Sequence, residues 1–111
     1  MKTIVVPTTI ETMEKLDFDT CTPDDLVELR LSENEYNELW QSGVLDTLNQ
    51  QLGMLIDDYE DESIIEEDKL LEAKNIVKNS VLKTKNVQVI SKLLNQIELA
   101  LSNNTGVFFY F

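Results

Sequence analysis

VQVISKLLNQIELALSNNTGVFFYF, from Val87 to Phe111, carries two different periods in succession. In its first part Val87, Ile90, Leu94, Ile97 and Leu101 recur at helical spacing and predict a helix over 87–102. Asn103 and Asn104 tolerate the left-handed backbone that ends a helix. Gly106 then opens Val107-Phe108-Phe109-Tyr110-Phe111, whose β-branched and aromatic side chains predict a strand over 106–111. An apolar strand left unpaired is an aggregation hazard, so a partner strand or some other cover is expected for this one. At the other end Ile4-Val5-Val6, closed by Pro7, is β-prone and predicts a strand over 3–6. The two ends are expected to pair with each other, or with residues 26–31. The fold class follows: α+β, a mostly helical single domain over 1–111 with a small sheet formed by the N- and C-terminal strands.

The middle of the chain fills in the helices. Thr8 with Glu11 reads as a capping box opening a short helix through about Leu16. Thr22-Pro23-Asp24-Asp25 has the composition of a helix start, whereas Leu26-Val27-Glu28-Leu29-Arg30-Leu31 alternates like a strand, and both readings stay open. Ser32 with Glu35 is a second capping box, and Tyr36, Leu39 and Trp40 share one face of a helix over 33–41. Gly43 suits a left-handed cap. Val44, Leu45, Leu48 and Leu52, continued by Leu55 and Ile56, predict a helix over 44–56 that Gly53 interrupts. Leu70, Ala73, Val77 and Val81 predict another over 66–83, with Glu66, Glu67 and Asp68 complementing its dipole.

At 111 residues the chain is long enough to bury one core without disulfides or metals. A hydrophobic fraction of 42% is too high for a disordered chain even at net charge −12, so the acidity sits on a folded body. No apolar run approaches the roughly 20 residues of a membrane span, and the N-terminal apolar stretch is too short for a secretory signal. The one cysteine, Cys21, has no internal partner, which suits a reducing compartment and a cytoplasmic location. Charge is distributed unevenly. Residues 1–68 hold 19 acids against Lys2, Lys15 and Arg30, whereas residues 69–111 hold Glu72 and Glu98 against six lysines. Direct nucleic-acid binding is not expected of so acidic a chain, because it repels phosphates.

Catalytic chemistry finds little to work with. Histidine is absent, which removes imidazole acid–base catalysis and histidine metal ligands. The glycines stand at 43, 53 and 106 and form no phosphate loop. A calcium loop starting at Asp58 puts Glu60 and Glu62 at ligand positions. It then sets Ser63 where glycine is needed and Lys69 where a bidentate carboxylate is needed. Neither a metal, nor a cofactor, nor enzymatic activity is expected.

The candidate site is the acidic run from Asp57 to Asp68, with eight carboxylates in twelve positions and no base among them. Such a run raises self-repulsion and exceeds what solubility requires, which marks it as a partner surface. Asp57, Asp58, Tyr59, Glu60, Asp61 and Glu62 are the expected contact residues, with Tyr59 as an aromatic anchor among carboxylates. The expected partner is a basic protein.

Small size, acidity and this acidic-aromatic segment together resemble the bacterial immunity proteins of polymorphic-toxin and contact-dependent inhibition systems. The stretches Leu31–Trp40 and Ile56–Glu62 carry the likeness. That resemblance implies neutralisation of a cognate toxin, a nuclease among the candidates, by covering its basic cleft. An alternative is a nucleic-acid mimic of the antirestriction type, which needs carboxylates spread along an elongated surface to match successive phosphates. A non-catalytic adaptor or chaperone domain is a third. The concentration of acids in one run favours a localised interface over mimicry.

Overall fold

Both terminal strands lie at the centre of one antiparallel sheet. The computed structural model describes residues 2–15, 25–58, 60–84 and 88–111. The elements in chain order are β1 (Lys2–Pro7), α1 (Ile10–Lys15), β2 (Leu26–Leu31), α2 (Glu33–Gln41), α3 (Val44–Leu52), β3 (Glu62–Ile64), α4 (Glu67–Lys83), α5 (Gln88–Asn103) and β4 (Val107–Tyr110). The sheet order is β2-β1-β4-β3. Ile4 lies opposite both Leu29 of β2 and Phe109 of β4, and Ser63 of β3 lies opposite Phe108. This is the expected α+β class, with the terminal strands paired to each other.

On β4 alternation separates a buried face from a half-buried one, while β1 is buried on both faces, Val5 included. Ile4, Val6, Leu31, Ile64, Val107 and Phe109 point one way, into a core completed by Leu45 and Leu48 of α3, Leu70 and Val77 of α4, and Ile90, Leu93 and Ile97 of α5. The register of α5 differs slightly from the stripe read in the sequence: Leu93 is fully buried, while Leu94 and Leu101 flank the core. One position of that buried face is polar, Gln96. It is buried on the apolar face, and its amide nitrogen donates to Ile4 O at 2.9 Å and Val27 O at 3.0 Å, tying α5 to two strands.

One open choice is settled and two local expectations are corrected. Residues 26–31 form a strand, which settles the open choice there; the helix start read at Thr22, Pro23 and Asp24 lies outside the described residues, as does Cys21. The first helix is capped by Thr9, whose hydroxyl accepts from Thr12 N at 3.1 Å, while Thr8 donates its hydroxyl to Asp25 O. α3 stops at Leu52 and does not continue to 56, because Gly53 takes a left-handed φ of 64° and its N–H closes on Asn49 O. Ile56 is nevertheless buried, so its apolar signal is genuine and belongs to extended chain, whereas Leu55, read with it, is exposed. Among the described residues no helix is long and apolar enough to cross a membrane.

Candidate acidic interface

Leaving α3, the chain is held straight by one side chain. Asn49 accepts from Ile56 N at 2.8 Å and donates to Ile56 O at 3.1 Å, mimicking a strand partner. The acidic run starts at the next residue, and the structure sorts its carboxylates into two kinds. Asp57 accepts from Glu60 N at 2.9 Å and so forms a turn. Asp58 accepts from the Tyr36 hydroxyl and sits 3.7 Å from Lys2 Nζ. Glu62 accepts from Leu55 N at 3.0 Å and Ser63 N at 3.0 Å, fastening the entry of β3. Three of the expected contact residues therefore shape the loop. Glu60 and Asp61 are exposed and free of internal ion pairs among the described residues. Tyr59, the expected anchor, lies outside the described residues.

β3 divides the run. Its three residues occupy roughly 10 Å of extended chain, with Glu60 and Asp61 before it and Glu66, Glu67 and Asp68 after it, all exposed. The acids form a strip along the β3 edge of the sheet, not a single knot. Leu55 and Ile65, 70% and 54% exposed, interrupt that strip with apolar surface.

Beside the strip lies an open groove of about 690 Å³, lined by Lys2, Leu31, Ser32, Glu33, Tyr36, Asn37 and Asp58. Tyr36 is the aromatic residue of its lining. Tyr36 meets Phe111 edge-on at 5.0 Å and Trp40 at 6.3 Å, and Lys2 Nζ lies 5.1 Å from the Tyr36 ring centre. Sequence spacing placed Tyr36 on the core face with Trp40, which is correct as far as burial goes. The role of its hydroxyl in holding Asp58 had no local signal, because the two are 22 positions apart.

The capping box at α2 is complete, Ser32 with Glu35 in both directions. Lys92 of α5 donates to Glu35 at 2.8 Å, and this bond, with the Ser32 backbone bond, holds the Glu35 carboxyl below its usual range. Among the described residues no three Cys, Asp or Glu side chains are grouped to hold a metal ion.

Fold and surface together define a class: a small acidic α+β domain whose antiparallel sheet carries a strip of carboxylates along one edge. Neither a family model nor a curated protein matches the chain. A solved structure does, that of the Neisseria DNA mimic protein DMP12, which is superposable with a TM-score of 0.66 at 19% identity over 100% of both chains. The likeness at that identity is one of fold. It corrects the expectation of a basic toxin as partner, since the full-length fold match is a DNA mimic.

Proposed function

We propose that this protein is a non-catalytic inhibitor that imitates the charge of a nucleic-acid backbone and occupies the DNA-binding surface of a DNA-binding protein. The observation that carries this reading is the end-to-end fold likeness to the Neisseria DNA mimic protein DMP12. Net charge −12 is the property such a competitor requires. Basic DNA-binding surfaces attract an extended acidic face at long range, so the same field that steers DNA steers the mimic. With a longest dimension of 37 Å the molecule covers about one turn of duplex. Glu60, Asp61, Glu66, Glu67 and Asp68 stand in for phosphates, while Asp57, Asp58 and Glu62 keep the strip in place.

The test is displacement. DNA-binding proteins of a cell extract are loaded on immobilised duplex and challenged with the protein or with an unrelated acidic protein of equal net charge. The expected result is release of a defined subset by this protein alone. Release of nothing, or of the same set by the control, would overturn the proposal.

A further inference from the structure

The edge of the sheet remote from the acidic strip is β2, and its outward backbone groups can be assigned. Gln96 donates to Ile4 O and Val27 O together, and Thr8 N donates to Asp25 O at 2.9 Å. These bonds turn Asp25, Val27, Leu29 and Leu31 towards β1. By alternation Leu26, Glu28 and Arg30 aim their N–H and C=O groups away from the sheet. Among the described residues the edge is open: Val27 is 37% exposed, and the Glu28 and Arg30 side chains are 39% and 69% exposed. It contains neither proline nor lysine, two residues that commonly block edge pairing.

We propose that β2 pairs antiparallel with β2 of a second copy about a two-fold axis through Leu29. Two registers overlap most of the strand, centred on Glu28 and on Leu29. The first sets the Glu28 carboxylates of both copies directly opposite each other, which is destabilising. The second sets Glu28 opposite the partner's Arg30 and Arg30 opposite the partner's Glu28. It also matches the outward backbone groups of these residues as hydrogen-bonded pairs. The Glu28–Arg30 contact at 3.3 Å within one strand then becomes half of a four-charge cluster. Val27 falls opposite the partner's Leu31, covering its exposed apolar surface. The carboxylates beside β3 do not oppose this contact at short range, because the order β2-β1-β4-β3 keeps β3 roughly 14 Å away, three strand spacings; Asp25 and Glu33, which flank β2, are the acids that weaken it. The paired sheet carries its acidic strips at its two outer ends, roughly 34 Å apart before twist is counted.

Sedimentation velocity at near-physiological salt tests the proposal, over a concentration series reaching millimolar. The wild-type mass should rise from monomer to dimer. Glu28→Arg and Arg30→Glu should each weaken self-association about tenfold, since each sets like charges opposite across the axis. An equimolar mixture of these two variants should associate again, because each supplies the charges the other lacks. Both substitutions are at exposed positions, and circular dichroism verifies the fold. A wild type that stays monomeric throughout, variants that associate as it does, or a mixture no better than its components would overturn the pairing.

Discussion

Gln96 and Glu35 show what single side chains contribute here. The Gln96 amide is a donor placed between carbonyls of two strands, Ile4 of the central β1 and Val27 of the edge strand β2. Gln96→Leu should lower stability by about 1 kcal/mol or more, because the buried Ile4 carbonyl and the part-buried Val27 carbonyl both lose a donor. Gln96→Glu should be worse, since an isosteric carboxylate points acceptors at acceptors; urea unfolding midpoints rank the two. Equal midpoints for both variants would mean that the amide merely fills space. Glu35 makes a pH-dependent contribution. Its carboxyl is held below the ordinary glutamate value of about 4.3 by Lys92 and by the capping bonds. A depressed acid contributes stability that is present above the unfolded value and lost as pH falls through the folded one. Glu35→Gln preserves a capping residue but not the charge. The wild type should therefore be the more stable near neutrality, and its advantage should shrink on acidification below about pH 4. A gap of constant size across that range would show that the Lys92 pair adds nothing.

Among the elements, β3 is the one on which the acidic strip depends, and Gly106 is what lets it pair. A Cβ at Gly106 would stand 2.7 Å from Ile64 O and 2.7 Å from Ile65 Cγ2, with the carbonyl fixed in the β3–β4 ladder. Gly106→Ala should cost about 1–3 kcal/mol by overpacking. It should also remove hydrogen-exchange protection from β3 before α5 is affected, and a variant with β3 protected as in the wild type would contradict the role assigned to the glycine. The other elements differ in how openly the sequence announced them. α4 and α5 were legible because sustained apolar stripes have only one way to be buried, and β1 and β4 because β-branched and aromatic runs at both ends needed each other. β3 was hidden: three residues, Glu62-Ser63-Ile64, carry no period, and their place is set by Phe108 and Phe109 across the ladder. The end of α3 was misread for the opposite reason. Leu55 and Ile56 continue the helical spacing, but Gly53 breaks the helix and the buried Ile56 reaches the core from extended chain clamped by Asn49. In the candidate site, the run was visible as composition, whereas its division into structural and free carboxylates depends on Tyr36, Lys2 and Leu55, which only tertiary structure brings there.

At the scale of the whole molecule, charge density separates this protein from the polymer it is proposed to imitate. Duplex DNA carries one charge per about 1.7 Å of axis and a condensed counterion layer, whose release makes protein binding fall steeply with salt. Here a net charge of −12 is spread over a body 37 Å long and 29 Å by 23 Å across, about one net charge per 3 Å of length. Fewer counterions are held, so fewer are released on binding. The affinity of a captured protein for the mimic should then fall less steeply with salt than its affinity for duplex, and displacement from immobilised DNA should become more efficient as salt rises. Two sets of substitutions divide the interaction. Neutralising Glu60, Asp61, Glu66, Glu67 and Asp68 to their amides should reduce displacement at every salt concentration and flatten the salt dependence of the captured protein's affinity for the mimic. Leu55→Ser with Ile65→Ser should leave that dependence unchanged while weakening displacement by a constant factor, because exposed apolar anchors act over short range and are not screened. Titrations across a salt series measure both slopes. If wild-type potency declines in parallel with DNA affinity, or if the five-amide variant displaces as well as the wild type, the strip is a solvated edge and the charge imitates nothing.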